Sequence, residues 1–266
     1  MAAAATPFER ARLNSNDRVF GGTEVEIGRY PWMAGLRFTP SSSNNFCGGS
    51  LIAPDFVLTA AHCVTFRFAP PEAIYVTIGS HWLNGTDDND ADMRKVTATF
   101  VFPGFSSAVL GHDIAILQLE APSTKTPVAL VQNWVAADMA TTLLGWGQTT
   151  DAGDSQSYPL LQADLTVLDS AECQDRIQNG GDPMYAQWAV TDTHLCAGGV
   201  AGIGACYGDS GGPLFVTVGD NDEATLALVG DVSFGELCGA GLPDVYGRIS
   251  AAKEFIDQVA SGHTWV

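Results

Sequence analysis

The feature of the sequence that most limits the fold is a succession of short apolar segments separated by turn-forming residues. Examples are the segments 75–78, 114–119, 163–168 and 214–218. The 29 glycines of the chain supply many turns. Short strands divided by turns are typical of a β-sandwich or a β-barrel, so we predict an all-β protein.

A serine between glycines is the first candidate for chemistry. Residues 208–213 read Gly-Asp-Ser-Gly-Gly-Pro, which predicts that Ser210 lies on a tight, accessible turn. A serine hydroxyl is a poor nucleophile at neutral pH and needs a base beside it and a third group that orients the base. His62 follows the apolar run 56–58, and Asp113 precedes another apolar run. The two residues are candidates for the base and for the group that orients it.

The order His62, Asp113, Ser210 resembles that of the chymotrypsin- and trypsin-like serine proteases. The resemblance extends from residue 19 to about residue 260. It implies two six-stranded antiparallel β-barrels, with the active site in the cleft between them and a C-terminal helix. Residues 19–127 would form the N-terminal barrel, and residues 128–266 the C-terminal barrel and the helix, within one peptidase domain. The helix is predicted to begin at Ser250, because apolar residues at helical spacing follow it.

The resemblance gives each motif residue a role. His62 is the general base, Asp113 orients it, and Ser210 is the nucleophile of an acyl transfer. The backbone N–H groups of Gly208 and Ser210 form the oxyanion hole, which binds the negative oxygen of the tetrahedral intermediate.

A second segment is implied to bind the substrate backbone. Ser233, Phe234 and Gly235 would pair with the substrate as an additional strand. Phe234 stands where family members usually have Trp, so a flat aromatic ring is retained. Ser233 is expected to support Asp113 by a hydrogen bond.

The resemblance also predicts the specificity pocket. Trypsin-like members have an aspartate six residues before the nucleophilic serine, where this chain has Gly204. Asp244 instead occupies a position that is usually glycine, and the pair resembles the crab collagenolytic proteases. We expect cleavage after Arg and Lys, with secondary cleavage after Leu, Phe or Tyr. The alternative is that Asp244 points into its own loop and that the pocket is purely apolar.

Residues 1–18 are predicted to be an activation peptide. They are polar and show no periodicity, and Arg18 followed by Val-Phe-Gly-Gly resembles the activation junction of the family. Cleavage after Arg18 would free the α-amino group of Val19, which would pair with Asp209, since a buried carboxylate needs a cation. We therefore expect a zymogen that another protease activates.

The six cysteines predict disulfides and not a zinc or redox site, because no two of them are separated by only two residues. The resemblance implies the pairs Cys47–Cys63, Cys173–Cys196 and Cys206–Cys238. Disulfides indicate an oxidising compartment, so we expect a secreted protein. Residues 1–7 are too short and too weakly apolar for a signal peptide, and we expect that one was trimmed.

The charge balance limits the partners. Twelve Lys and Arg against 30 Asp and Glu give a formal charge of −18, which argues against nucleic acid and anionic membranes. The acidity would attract a cationic substrate, although it could equally serve solubility. No segment approaches the ~18 apolar residues of a membrane span. The expected partners of this monomer are protein or peptide substrates, an activating protease and protein protease inhibitors.

We predict no cofactor and no metal. The histidines outside the triad show no ligand-spaced pair and are expected to be surface or loop residues: His81, His112, His194 and His263. The acidic run 87–92 is favoured as a solvated loop, with calcium binding as the alternative. Asn84 begins a glycosylation sequon whose use is left open.

Two functions compete at this stage. The first is a secreted serine endopeptidase made as a zymogen. The second is a catalytically silent homologue that binds and regulates a protein partner. Silent homologues usually lack a triad residue or the oxyanion glycine, and this chain retains all of them, which favours the peptidase.

Overall fold

The computed structural model describes residues 20–65, 70–85, 91–149, 155–219 and 224–266. Within these ranges the first seven strands are β1 (Thr23–Glu24), β2 (Met33–Arg37), β3 (Cys47–Ala53), β4 (Phe56–Thr59), β5 (Tyr75–Ile78), β6 (Asp92–Val101) and β7 (Ala115–Leu119). The next seven are β8 (Ala129–Leu130), β9 (Ala140–Gly145), β10 (Leu161–Thr166), β11 (His194–Gly198), β12 (Pro213–Val218), β13 (Thr225–Phe234) and β14 (Pro243–Arg248). The helices are α1 (Ala61–Thr65), α2 (Ser170–Gln178) and α3 (Lys253–Val259). The all-β prediction is confirmed.

Strands β2 to β7 close into a six-stranded antiparallel barrel in the order β2-β3-β4-β7-β6-β5. Every residue of β2, β3 and β4 is buried. Part of this burial comes from contact with the second sheet, where the rings of Trp32 and Phe215 pack edge to face with centroids 5.3 Å apart. Aromatic pairs in this geometry stabilise the interface beyond the area that they bury.

The second half forms one curled sheet, with β1-β10-β9-β12-β13-β14-β11 in order and β8 added alongside β13. The six predicted strands of the C-terminal barrel are present, but the sheet does not close by a continuous ladder. Strands β10 and β11 approach each other only through a bridge between Val167 and Ala197. The ladder stops there because the chain turns at Asp169, whose carboxylate caps the N-terminus of α2.

The two ends of the described chain pack on the second sheet. Strand β1 pairs with β10, so residues 23–24 lie on the second sheet although they precede the first barrel. The predicted boundary at 127/128 falls between β7 and β8 and stays a prediction.

The C-terminal helix is present, but it begins at Lys253 because a 3₁₀ turn, Ile249–Ala252, occupies the predicted first turn. Within the described ranges, no helix has both the length and the apolar character needed to cross a membrane.

The structure contains the three disulfides that the resemblance implied. They are Cys47–Cys63, Cys173–Cys196 and Cys206–Cys238. The first joins β3 to α1, and the third joins the segment before Ser210 to the segment after Gly235. Two of the three crosslinks therefore brace the segments that carry predicted site residues.

Candidate active site

The geometry of His62 and Asp113 is set by the ladder between β4 and β7. Thr59 pairs with Ala115, which brings the residues just beyond them in each strand together. The His62 ring nitrogen Nδ1 lies 2.8 Å from Oδ2 of Asp113, and the His62 backbone N–H donates to Oδ1 at 2.8 Å. The Ser233 hydroxyl also donates to Oδ2, at 2.5 Å. Asp113 is 1% exposed, so these donors hold its carboxylate in one orientation.

The turn before Asp113 has an unusual backbone. His112 has φ of 59° and Gly111 has φ of 88°. A left-handed conformation is uncommon for a residue with a side chain and marks a constrained position. Here the hydroxyl oxygen of Thr193 accepts a hydrogen bond from the His112 backbone N–H at 3.0 Å. The second half of the chain therefore helps to fix the turn that presents Asp113.

Ser210 lies on a loop that both halves of the protein hold. The Gly48 N–H of β3 donates to the Ser210 carbonyl at 2.8 Å, and the Gly211 N–H donates to the Val232 carbonyl of β13 at 2.8 Å. Gly208 and Gly211 have backbone φ angles of 101° and 74°, which residues other than glycine rarely adopt. The backbone of this turn therefore requires glycine at positions 208 and 211.

The Ser210 loop packs against the segment that leads to His62. A Cβ atom on Gly211 would collide with the Thr59 hydroxyl and lie 2.9 Å from the Ala60 nitrogen. The hydrogen bonds of the described residues do not include one between Ser210 Oγ and His62 Nε2. Such catalytic hydrogen bonds are often long in proteins without substrate and shorten in the complex. The arrangement brings the three predicted triad residues to one place at the junction of the two sheets.

Asp209 points away from this junction into the protein. Its carboxylate accepts hydrogen bonds from the Gly147 N–H at 2.7 Å and the Cys206 N–H at 2.9 Å. A Cβ atom on Gly145 or Gly147 would collide with it, so both glycines make its site. Burial raises the pKa of Asp209 to about 7 despite the two hydrogen bonds. Within the described ranges Asp209 forms no ion pair.

The first described residue lies near the same loop. The Phe20 carbonyl accepts a hydrogen bond from the Gly204 N–H at 3.1 Å, and the two residues form an antiparallel bridge. The Phe20 ring packs against Gly239. Arg18 and Val19, the predicted activation residues, lie outside the described residues.

A cavity of about 210 Å³ opens beside Ser210, and Asp244 lies at its wall. Asp244 is 7% exposed, and its Oδ2 accepts a hydrogen bond from the Ala205 N–H at 2.8 Å. Cβ atoms on Gly204 and Gly235 would come within 2.7 and 2.8 Å of its two oxygens, so the two glycines provide its space. Burial, with a smaller contribution from the charge of Asp209, raises the pKa of Asp244 to about 7.

The predicted substrate strand borders the same cavity. Ser233, Phe234 and Gly235 all line it. The Phe234 ring stacks on Tyr185 with an interplanar angle of 8° and a centroid distance of 5.7 Å. Tyr185 lies after α2, so the aromatic contact ties the end of β13 to the segment that follows this helix.

Sequence reasoning missed Asp231, a further buried carboxyl group that lies near Asp113. It is 0% exposed, and neither oxygen has a hydrogen-bond partner in the described residues. It pairs across the ladder with Gly247, where a Cβ atom would lie 2.5 Å from Oδ1 of Asp231 and 3.1 Å from the Asp113 carbonyl oxygen. Burial, and then the charge of Asp113, raise the pKa of Asp231 well above its ordinary value. The signal available in the sequence was a lone aspartate inside an otherwise apolar strand.

The state of Asp231 predicts a pH-dependent cost in stability. Because its folded-state pKa is raised, the folded protein keeps a proton that the unfolded chain releases above about pH 4. Between the pKa of Asp231 in the unfolded chain and its raised pKa in the folded protein, each pH unit lowers the unfolding free energy by about 1.4 kcal/mol. Asp231→Asn cannot ionise, so its unfolding free energy relative to wild type should rise between pH 4 and pH 8. Urea unfolding at pH 4, 6 and 8 measures this; a difference that does not change with pH would contradict it.

The prediction of surface or loop residues is wrong for His194, which lies in strand β11; His81 lies in a loop, although it is buried. His81 is 3% exposed and lies 3.0 Å from Oε1 of Glu24, and His194 is 1% exposed. His194 packs beside the rings of Trp188 and Phe234, and burial lowers its pKa. Because His194 packs against Phe234, which is distant in the sequence, its burial could not be predicted from its sequence neighbours.

Residues 87–90 of the acidic run lie outside the described residues. The threonine of the Asn84 sequon lies outside them as well. Asp92, the last member of the acidic run, accepts hydrogen bonds from Ser123 at 2.7 Å and from the Thr124 N–H at 2.6 Å. In the described part of the chain, one cluster of potential metal ligands forms, and both its sulfur atoms belong to the Cys47–Cys63 disulfide. Calcium binding stays untested.

An antiparallel two-sheet fold with His, Asp and Ser at the junction of the sheets defines a chymotrypsin-like protein. The sequence profile of the trypsin family matches residues 19–256, so the chain belongs to the trypsin family. It is 38% identical over 247 residues to glucanase inhibitor protein 3 of Phytophthora infestans, a match that covers 92% of this chain and 89% of that protein.

Two further relatives have different names. Glucanase inhibitor protein 2 of Phytophthora infestans is 36% identical over 268 residues, covering 98% of this chain and 97% of that protein. The CLIP domain-containing serine protease B4 of Anopheles gambiae is 32% identical over 268 residues, covering 91% of this chain and 69% of that protein. The names describe two activities within one family, namely inhibition of a glucanase and proteolysis.

Proposed function

We propose that this protein is a serine endopeptidase. The observation that carries the proposal is the hydrogen-bonded pair of His62 and Asp113, completed by Ser233, beside a serine on a glycine turn. A protein that only binds a partner has no need for a buried carboxylate held by three donors behind an accessible histidine. The proposal covers what the family membership leaves open, which is whether this member is active.

In the proposed reaction the Ser210 hydroxyl oxygen attacks the substrate carbonyl carbon, and Nε2 of His62 takes the hydroxyl proton. The new oxyanion accepts hydrogen bonds from the Gly208 and Ser210 N–H groups. The carbon–nitrogen bond then breaks, and the imidazolium gives its proton to the leaving amine. Water repeats the attack with the same base, which releases the acid and restores Ser210.

Asp113 acts through His62 in this scheme. Because Oδ2 accepts from Nδ1, the tautomer with a free Nε2 lone pair is favoured, and the imidazolium that forms later is stabilised. The Ser233 hydroxyl offers Oδ2 a second donor, which keeps the carboxylate from rotating. Burial removes competing water, so the carboxylate is not solvated in other orientations.

We further propose specificity for Arg and Lys, carried by Asp244. The carboxylate lines the cavity beside Ser210 and forms no ion pair within the described ranges. A buried carboxylate without an ionic partner favours a cationic guest, whose charge would compensate for the lost hydration. Secondary cleavage after Leu, Phe or Tyr follows from the state in which Asp244 holds a proton and is neutral.

The raised pKa of Asp244 predicts that specificity depends on pH. A carboxyl with a pKa of about 7 is about one tenth ionised at pH 6 and about nine tenths at pH 8. The Arg rate follows the ionised fraction and the Phe rate the neutral fraction, so the ratio of kcat/KM for an Arg substrate to that for a matched Phe substrate should rise about a hundredfold from pH 6 to pH 8. Any effect of pH on the catalytic residues is common to both substrates and cancels in the ratio.

Asp244→Asn is the matched control for this experiment. It keeps the shape of the side chain and removes the titrating group, so its Arg-to-Phe ratio should be low and constant with pH. A wild-type ratio that is equally constant would show that Asp244 does not select the cation.

We also propose secretion as a zymogen, with cleavage after Arg18 as the activating step. The three disulfides support an extracellular protein, because disulfides form and persist in oxidising compartments. The substrates would be proteins or peptides, the activator another protease, and the natural regulators protein protease inhibitors. The active species would be a monomer.

The second candidate function is inhibition of a glucanase. It is favoured by the two Phytophthora relatives, whose names state that activity and whose matches span nearly the full chain. A binding function needs the surface and not the nucleophile. The variant Ser210→Ala therefore distinguishes the two candidate functions, because it removes the nucleophile and keeps the binding surface.

The deciding experiment uses the protein cut after Arg18. Wild type is incubated with a peptide library, and in parallel with a glucanase and its glucan. The peptidase proposal expects peptide products that depend on Ser210 and no effect on glucan hydrolysis. Glucanase inhibition that survives in Ser210→Ala, with no peptide products from wild type, would overturn it in favour of the second candidate.

A further inference from the structure

Two buried carboxyl groups lie near each other in the protein, and their surroundings are unequal. Asp113 accepts hydrogen bonds from the backbone N–H and Nδ1 of His62 and from the Ser233 hydroxyl. Asp231 is 0% exposed, and neither of its oxygens has a hydrogen-bond partner in the described residues. Donors stabilise a carboxylate, and two neighbouring carboxylates in a buried site disfavour each other. The negative charge of the pair therefore belongs on Asp113, and Asp231 is the member that keeps a proton.

In the described part of the chain, no cation faces Asp231 to change this outcome. The residue paired with it in β12 is a proline, and the residue paired with it in β14 is Gly247. Beyond Gly247, strand β11 places His194, whose pKa burial lowers, so that the neutral ring is favoured. The two 3₁₀ turns that pack on β13 carry no charged residue: Ala108–Leu110 and Ile249–Ala252. The charge that acts on Asp231 is that of Asp113, which opposes its ionisation.

The proton of Asp231 has an acceptor close to it. Because Gly247 has no side chain, a space is open above it, where a Cβ atom would lie 2.5 Å from Oδ1 of Asp231. The same point is 3.1 Å from the Asp113 carbonyl oxygen and 3.0 Å from a side-chain carbon of Ile114, which cannot accept a hydrogen bond. Buried O–H groups are almost always paired, so a neutral Asp231 would turn its hydroxyl toward the Asp113 carbonyl.

That carbonyl belongs to the constrained turn that presents Asp113 to His62. The turn contains His112, with φ of 59°, whose N–H donates to the Thr193 hydroxyl oxygen at 3.0 Å. A donor on the Asp113 carbonyl would hold the turn at a second point. Strand β13 would then fix Asp113 twice, at the carboxylate through Ser233 and at the backbone through Asp231.

We propose that Asp231 keeps a proton and donates it in a hydrogen bond to the backbone carbonyl oxygen of Asp113, so that it is a positioning residue of the triad. Asp231 does not line the cavity beside Ser210, and it acts on His62 through Asp113. Its neutral state also leaves a single negative charge beside His62. The inference rests on the proposed peptidase function and extends it to how Asp113 is held.

The first test compares Asp231→Leu with Asp231→Asn in the protein cut after Arg18. Leucine has a similar volume and cannot donate, so kcat for a peptide should fall about tenfold, the effect of losing one hydrogen bond, with KM unchanged. Asparagine offers an amide N–H and should restore most of the wild-type kcat. Rates are taken per folded protein, as measured by urea unfolding of the same samples. Asp164→Leu makes the same chemical change at an exposed position of β10 and should keep the wild-type kcat.

The second test locates the proton. The infrared difference spectrum between wild type and Asp231→Asn at pH 7 should contain the carbonyl band of a protonated carboxyl group. The acid limb of the kcat/KM profile should also coincide in the two proteins, because both side chains are neutral. An ionised Asp231 would stabilise the imidazolium of His62, and its replacement by asparagine would move the limb to lower pH. A carboxylate band in the difference spectrum, or that movement of the limb, would overturn the inference.

The kinetic outcomes separate this inference from the peptidase proposal. Wild-type kcat in Asp231→Leu, or a kcat in Asp231→Asn as low as in Asp231→Leu, would overturn the positioning role while leaving the peptidase intact. If wild type cut after Arg18 cleaved no peptide, the peptidase proposal would fall and the positioning role with it, whatever the infrared spectrum shows.

Discussion

Replacing Ser210 by alanine is expected to lower kcat/KM for peptide hydrolysis by about 10⁴- to 10⁶-fold in the protein cut after Arg18. In the proposed mechanism the Ser210 hydroxyl oxygen is the protein atom that forms a covalent bond to the substrate. Without it, what remains is water attack aided by the oxyanion hole, which accounts for the residual rate. The measurement is turnover of an Arg-containing peptide by both proteins at equal concentration.

Two further variants make this result specific. His62→Ala should cost a similar factor, and the double variant should be little worse than either single one, because the two residues act as a unit. Ser261→Ala changes an exposed serine far along the chain and should retain wild-type turnover. Wild-type rates from Ser210→Ala would show that another group is the nucleophile.

The uncut chain is expected to hydrolyse peptides at least ~10³-fold more slowly than the chain cut after Arg18. Losing a single oxyanion-hole donor costs about 10²- to 10³-fold, and the Asp209 loop carries both donors. Asp209 is fully buried with two N–H donors and no ion pair in the described chain, so a free Val19 ammonium would have a prepared partner. Terminal sequencing of the active form should read Val-Phe-Gly-Gly.

Two variants test the steps separately. Arg18→Gln should block cleavage by an activator that cuts after basic residues, and the protein should stay inactive. Asp209→Asn should be cut normally and remain inactive, since a neutral amide cannot replace the ion pair. Full activity of uncut Arg18→Gln would contradict the activation proposal.

The sequence was sufficient for the parts of the site that depend on local backbone. Gly208 and Gly211 adopt backbone conformations that favour glycine, so the glycines in the sequence already indicated a tight turn at Ser210. His62 and Asp113 could be predicted because each directly adjoins a buried strand. Their mutual distance could not, since it depends on the register in which Thr59 pairs with Ala115.

Features that depend on packing across the molecule were beyond sequence reasoning. The side on which Asp244 lies follows from the pairing of β14 with β11, where Asp244 is opposite Ala197. Asp231 was missed because it is an isolated polar residue whose environment comes from distant segments. The resemblance predicted six strands for the second half, and they are present; the break in their ladder, where Asp169 starts a helix at the edge of the sheet, could not be predicted from the strand pattern.

The most direct test of the central claim is labelling with an organophosphonate carrying an arginine-like side chain. Such a reagent forms a stable bond only with a serine that a neighbouring base activates, because ordinary hydroxyls are too weakly nucleophilic. Protein cut after Arg18 is incubated with the reagent, digested and analysed by mass spectrometry. We predict one adduct, on the peptide that contains Ser210, and none in Ser210→Ala. Failure of the cut, folded wild type to form that adduct would contradict the assignment of this protein as a serine peptidase.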